Sequence, residues 1–257
     1  MTHEETIQKL MELKLMGMVL LLREWLEGPP THGLTFEEQL AVLVDREWTD
    51  RKNRQTVRRI KDARLPVQAT MEDVWSDTAR GLERSAVRTL ATGQWIRARQ
   101  NVIATGLTGT GKSFFATALA HAACRQGFRA LCVRAPRLVQ ELAIARADGT
   151  YPELLAKIAR AHVLVVDDFL IAPMTETEKR DLLEVLEDRY GHTSTVITSQ
   201  VPTRGWHEAL GEPTLADAIC DRLVHNAHVI ALRGPSLRKK RGMNTEGVTQ
   251  AQETEHT

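Results

Sequence analysis

Gly106-Leu107-Thr108-Gly109-Thr110-Gly111-Lys112-Ser113 is the stretch on which the reading of the chain turns. It fits G-x-x-x-x-G-K-S in full. A short apolar run, Val102-Ile103-Ala104, precedes it, and a segment of helical periodicity from Lys112 to Gln126 follows. Strand, glycine loop and helix, in that order, make a phosphate cradle. The glycines let successive main-chain N–H groups turn inward, and the helix N-terminus adds the positive end of its dipole. Gly106, Thr108, Gly109, Thr110, Gly111 and Phe114 are therefore candidate nucleotide contacts. Lys112 is placed to reach the β- and γ-phosphates, and Ser113 to ligate Mg²⁺. ATP and Mg²⁺ are the expected cofactors.

Downstream, short apolar runs alternate with longer periodic segments. Strands are expected at 130–133, 163–166, 195–198 and 228–232, and helices at 137–146, 152–160, 176–190 and 215–224. Alternation of this kind predicts an α/β fold, a five-stranded parallel sheet covered by helices on both faces. Val163-Leu164-Val165-Val166 ends in Asp167-Asp168, two carboxylates at the edge of an open α/β sheet where ligands bind. Asp167 is placed to hold Mg²⁺ and Asp168 to polarise an attacking water. Thr198, Ser199 and Gln200 end the fourth strand, where one of them can face the γ-phosphate or simply open a turn before Pro202. Arg222, in Asp221-Arg222-Leu223, is either a finger crossing to a neighbouring subunit's phosphates or half of an internal ion pair.

Upstream, residues 1 to about 65 read as helical. Ile7, Leu10, Leu13, Met18, Leu21 and Trp25 give one apolar face, closed by Gly28-Pro29-Pro30. Thr35 and Glu38 form a capping box for a second helix, with Phe36, Leu40, Leu43 and Val44 as its apolar stripe and no break before Pro66. Its second half carries seven basic residues and one acid between Arg51 and Arg64. Arg51, Arg54, Arg58 and Lys61 fall on one arc of about 80°. Such a stripe is either a solvated face or a phosphate-binding one. The preference for Arg over Lys, and an expected lack of glutamates one turn back, favour phosphate recognition. A second basic cluster, Arg80, Arg84, Arg88, Arg97 and Arg99, lies in the connector, and Arg233, Arg238, Lys239, Lys240 and Arg241 close the ordered part. The expected division is a helical domain at 1–66, a connector at 67–100, an ATPase domain at 101–241 and a disordered tail at 242–257.

The composition excludes several classes. Among 257 residues, 42% are hydrophobic and 26% charged, with 34 Lys and Arg against 33 Asp and Glu, for a net charge of +1. Near-neutrality conceals the three basic segments, offset in part by an acidic stretch from Glu176 to Asp188. No apolar run is long enough for a membrane span, and no secretory leader is apparent. Three isolated cysteines form no zinc or disulfide pattern. His225 and His228 have no third ligand in view. The expectation is a soluble protein of a reducing, cytoplasmic compartment with no membrane partner.

Taken together, these motifs resemble the IstB-like transposition helper ATPases, a family of AAA+ (ASCE) P-loop NTPases related to DnaC-type helicase loaders. The resemblance runs from about Leu13 to Arg238. It takes in Leu15-Met16-Gly17-Met18, Leu34 to Leu40, Glu47-Trp48 and Arg51 to Asn53, as well as the P-loop, Val-Asp-Asp, Thr198-Ser199-Gln200, Asp221-Arg222-Leu223 and Leu232-Arg233-Gly234 with Ser236 and Arg238. It implies that the 1–66 domain binds DNA and joins subunits, and that the protein is a homo-oligomer on duplex DNA, associated with the bacterial nucleoid and with ATP sites at subunit interfaces, that assists a cognate transposase in choosing and attacking target DNA. By position it implies that Gln200 is the sensor-1 residue, Arg222 an arginine finger acting in trans, and Arg238 a sensor-2-like arginine. Three positions depart from the pattern: Gln200 stands for asparagine, Leu170 for glycine and Asp168 for glutamate. The few residues after the fifth strand leave no room for a full C-terminal lid. A DnaC-like helicase loader, a DNA scaffold with little hydrolysis and a small-molecule P-loop kinase are the alternatives.

Overall fold

Five runs of aliphatic and β-branched residues pair as one parallel sheet: β1 (Asn101–Thr105), β2 (Ala130–Arg134), β3 (Val163–Phe169), β4 (Ser194–Ser199) and β5 (Ala227–Ala231). All pairings are parallel, as expected, and the order, which the alternating pattern does not give, is β2-β3-β4-β1-β5. This is a computed structural model, and it describes residues 2–28, 33–75 and 81–236. The chain divides into two units, Met1–Arg58 and Arg59–Thr257.

In the second unit the two-residue period of the strands sorts their side chains between two layers. Val102, Ala104, Val163, Val165 and Val196 join one apolar cluster, while Ile103, Leu164, Val166 and Ile197 join the other. The first layer is covered by α7 (Lys112–Arg125) together with α4 (Met71–Trp75), α5 (Arg84–Ala91) and α6 (Gln94–Arg97). The stretch read from sequence as a connector thus supplies core: Val74, Val87, Leu90 and Trp95 are buried, and Trp95 Nε1 donates to Leu90 O at 2.9 Å. Helices of four to eight residues are too short to show a period, which is why the sequence pattern does not reveal them. The second layer is formed by α8 (Ala135–Asp148), α9 (Tyr151–Ala159), α10 (Glu176–Arg189), α11 (Trp206–Leu210) and α12 (Pro213–Val224).

Arg189, at the end of α10, is almost fully buried among main-chain carbonyls. Its Nη1 donates to Ile158 O and Ala161 O, both at 2.9 Å, its Nη2 to Ser194 O at 2.5 Å, and its Nε to Thr195 Oγ1 at 3.2 Å. These bonds lace the C-terminal end of α9 to the start of β4. Burial pushes the guanidinium pKa down to about 9, still above neutral pH, so the positive charge persists inside the sheet's N-terminal edge.

In the first unit the single helix expected across 7–25 is two helices, α1 (His3–Glu12) and α2 (Met16–Glu27). Lys14 has φ +58°, its N–H bonds to Met11 O, and that of Leu15 bonds to Leu10 O. This double closure is a Schellman turn, and it stops α1 without a glycine. The long helix α3 (Phe36–Asp62) runs as predicted from its Thr35–Glu38 capping box, although Phe36, Leu40 and Val44 of its expected apolar stripe are exposed in this unit.

The N-terminus of α2 has no cap of its own. Glu47 on α3 supplies one from thirty residues away, its Oε2 accepting from the Gly17 N–H at 2.6 Å. Gly17 makes the approach possible, because a Cβ there would lie 2.8 Å from the Glu47 Cα. Burial of Glu47 raises its pKa, but the bonds from Arg51 and from the main chain of Gly17 and Met18 outweigh it and hold the carboxyl below its ordinary range.

Replacing Glu47 with Ala leaves buried N–H groups without acceptors and is expected to cost about 1–3 kcal/mol in the first unit. A depressed carboxylate pKa contributes stability above its unfolded value of 4.5 and loses it as pH falls through the folded value. Acid titration of the wild-type protein, followed by circular dichroism of the full chain, should therefore show a loss of helix that Glu47→Ala no longer shows as a separate step.

Candidate nucleotide site

The topology puts β4 between β1 and β3, so the glycine loop after Thr105 and the acids at the end of β3 flank the end of β4. Gly111 is the left-handed residue from which α7 springs, at φ +102°. Lys112 is buried, and its Nζ donates to Gly106 O and Leu107 O at 2.8 and 2.9 Å. The ammonium therefore lies folded into the loop whose N–H groups would surround phosphates. Thr110 Oγ1 closes the same loop on Leu107 O at 2.8 Å. Ser113 Oγ donates to Asp167 Oδ1 at 2.8 Å, joining the two predicted Mg²⁺ ligands across the strands.

Strict alternation would send Asp167 and Asp168 to opposite faces of the sheet. A bulge changes this. Val166 pairs with Ile197 and Phe169 with Ser199, so β3 uses three residues where β4 uses two. Asp168 takes the extra place at φ +59°, a conformation aspartate tolerates better than most residues. Its main-chain N–H donates to Thr198 Oγ1 at 3.0 Å, while the Thr198 hydroxyl bonds to Asp167 Oδ1. Ser199 turns back to Phe169 O at 2.8 Å. Of the three polar residues ending β4, Thr198 serves the acids and Ser199 the strand end, while Gln200 lies exposed one place beyond the strand.

Two neighbours of the site have no local sequence signal. Arg134 ends β2, where its Cα pairs with that of Asp167, and its Nε and Nη2 both bond to Asp168 Oδ2, at 3.1 and 2.8 Å. The acid read as the water-polarising group is thus held by a guanidinium. The strand pairing that brings the two together cannot be read from either segment alone. The second neighbour is the chain after β5. Leu232 N–H donates to Thr105 O at 2.7 Å, and Ser236 lies so close to Gly109 that a Cβ on that glycine would collide with the serine side chain.

Arg222 is not at its own chain's phosphate loop. Its carbonyl accepts from Asn101 Nδ2 at 3.0 Å, and Asn101 opens β1, a strand's length of about 16 Å from the loop. Its guanidinium pairs with Asp221 at 2.7 Å and Glu187 at 3.5 Å and lies 5.0 Å from the centre of the Tyr190 ring. The internal ion pair expected as one alternative is therefore present. Arg238, with the basic ending and the tail after it, falls outside the described residues.

On α3, Arg51 Nε bonds to Glu47 Oε1 at 2.6 Å, and Arg54 Nη2 approaches the same oxygen at 3.5 Å. The expected absence of a glutamate one turn back is thereby corrected: Glu47 is four residues before Arg51. Its buried charge, committed to Gly17, requires a cationic partner. Both arginines remain about half exposed, and Arg58 and Lys61 are exposed.

Comparison with known proteins agrees with this geometry. The family described as IstB-like ATP binding protein matches residues 8–245. The chain belongs to that family. Among its IstB-like relatives, an insertion sequence ATP-binding protein of Sinorhizobium fredii is 44% identical over 239 residues, covering 93% of this chain and 98% of the relative. The ATP-binding protein of insertion sequence IS21 from Pseudomonas aeruginosa is 31% identical, covering 93% and 92%. Solved structures share the fold at low identity. The DnaC helicase loader superposes with a TM-score of 0.51 at 19% identity, covering 64% of this chain and 97% of that one. AMPPCP-bound DnaA from Aquifex aeolicus gives 0.54 at 16%, covering 66% and 51%.

Thr198→Val keeps the side-chain volume but removes the hydroxyl that joins both acids. It is expected to cost about 1–3 kcal/mol of stability, since the Asp168 N–H is left without its partner. ATP affinity in Mg²⁺, measured by calorimetry, should fall while affinity in EDTA changes little.

Proposed function

We propose that this protein is an ATPase that assembles on duplex DNA as a homo-oligomer and assists the transposase of its insertion sequence in engaging target DNA. The observation that carries the ATPase reading is the meeting of Lys112, Ser113, Asp167, Asp168 and Thr198 at one sheet edge beside the glycine loop. The loop N–H groups and Lys112 would hold the phosphates, with Lys112 exchanging its present carbonyl partners for phosphate oxygens. Ser113 Oγ and Asp167 are hard oxygen donors already in contact, a pair suited to Mg²⁺. Held by Ser113 and Asp167, Mg²⁺ would supply positive charge to neutralise the transferred phosphoryl group. Asp168 orients the attacking water, with Arg134 holding its carboxylate through Oδ2.

The position of Arg222 supports the oligomer, provided its ion pairs with Asp221 and Glu187 open. A guanidinium a strand's length from its own loop can stabilise transferred charge only at another subunit's site. DNA binding rests on the exposed cations of α3, Arg51, Arg54, Arg58 and Lys61, which suit phosphates and carry no base-reading pattern. The relatives' insertion-sequence names supply the link to a transposase.

Lys112→Ala should abolish ATP-dependent assembly on duplex DNA, read by analytical ultracentrifugation. Asp168→Asn should keep that assembly but slow phosphate release about 10²–10⁴-fold. Assembly that is equally complete with Lys112→Ala, or undiminished turnover with Asp168→Asn, would remove these residues from their roles.

Mixing Arg222→Ala with Lys112→Ala subunits tests the interface. Each is expected to be inactive alone, and a mixture should recover turnover, because an intact loop then meets an intact arginine. No recovery at any ratio rules out action in trans.

A further inference from the structure

Of the connector's basic cluster, Arg80 lies outside the described residues, while Arg97 and Arg99 stand just before β1 at the N-terminal edge of the sheet, opposite the nucleotide site. The other strands bring more arginines to that edge. Arg129 precedes β2 and Arg160 closes α9 before β3. A chain of contacts joins them: Arg129 Nε donates to Arg160 O at 3.0 Å, its main-chain N–H to His162 Nδ1 at 3.0 Å, His162 meets Phe128 edge to face, and Arg97 lies over the Phe128 ring. Arg99 reaches the loop before β4 by donating to Gly191 O at 2.8 Å.

All four guanidiniums are exposed, and among the described residues each bonds only to main-chain carbonyls, never to a carboxylate. Beneath them lies the buried charge of Arg189, likewise held by carbonyls and a hydroxyl. The local balance is reflected in His162, whose pKa is pushed down by burial first and then by Arg129, Arg189 and Arg59. Exposed arginines ordinarily find acids on a chain with 33 of them. Here carbonyl bonds fix the arginine stems and leave the charge facing outward.

We infer that this edge, built from Arg97, Arg99, Arg129 and Arg160, is a second binding surface for the phosphate backbone of duplex DNA. The row crosses from β2 to β1, three strand spacings or about 14 Å. That covers about four charges of one DNA strand at 3.4 Å each. Arginine forks suit phosphate oxygens, and no side chain in the row offers a pattern for reading bases. The inference rests on the DNA-dependent assembly proposed above and adds a site on the ATPase unit itself, independent of the cations on α3.

The test uses the full chain carrying Arg97→Ala, Arg129→Ala and Arg160→Ala, titrated with duplex DNA in ATP across a salt series. Each lost phosphate contact lowers the slope of log affinity against log salt by about 0.9, so the triple variant should be less steep by about 2.7 and bind at least about 10-fold more weakly near 0.1 M salt. ATP affinity should be unchanged, because the nucleotide edge is at the other end of the strands. A triple Lys variant should retain most of the binding. If the Ala triple fails to fold, the three single variants, each removing about 0.9 of slope, carry the same test. Wild-type binding by a folded triple variant at every salt concentration overturns the inference. So does loss of ATP-driven self-assembly without DNA, which would make the row a contact for an acidic surface of a second copy. A wild-type protein that binds no duplex at all defeats the proposed function, and this surface with it.

Discussion

The hydroxyl of Thr198 bonds to Asp167 and accepts the Asp168 N–H, and it can do so because β4 separates the strand of the glycine loop from the strand of the acids. Had β1 and β3 been neighbours, the loop and the carboxylates would crowd one strand spacing of about 4.8 Å, with no room between them for a third set of polar groups. The inserted strand doubles that distance and fills it with a buried hydroxyl. The bulge in β3 is the complementary adjustment, re-aiming Asp168 so that its N–H meets the hydroxyl and its carboxylate meets Arg134.

Opposite requirements operate at the two ends of the same strands. At the C-terminal ends, polar groups satisfy one another: Lys112 its own loop, Ser113 and Thr198 the acid Asp167, Arg134 the acid Asp168. Binding a nucleotide there exchanges partners rather than creating them. At the N-terminal ends, cations are held by carbonyls, which fix the groups in place without cancelling their charge. A long-range ligand field is stronger on the second arrangement, and a conformational change is easier on the first.

The glycine loop was legible in the sequence because all its determinants are contiguous, and the strands were legible because their aliphatic runs are short and bounded. Asp167 and Asp168 could be placed only by their order after the loop. The bulge that orients them depends on pairing with β4, which neither segment records. Arg134, Arg129 and Arg160 look like ordinary surface arginines until the strand order sets them beside Asp168 or along one edge. The break at Lys14 was hidden because a lysine occupies a left-handed position usually marked by glycine. Glu47 was hidden because it caps a helix thirty residues earlier, and its partner Arg51 seemed to belong wholly to a basic stripe. Leu170 is the reverse case: the family resemblance leads one to expect glycine there, and its φ of +58° shows the backbone turn that glycine would ease.

The path of the chain past β5 bears on how such sequences can diverge. Between the bond that Leu232 makes to Thr105 and the place where Ser236 presses on Gly109, three residues bridge a fixed gap. A deletion would pull the crossing off the loop, and an insertion would push slack into the nucleotide edge. Length variation among descendants of this gene is therefore barred on this short tether, and it is also barred at Gly109 itself, where any side chain would meet Ser236. The spacing from the fifth strand to the crossing is a ruler set by the phosphate loop, although it lies more than a hundred residues away from that loop in the sequence.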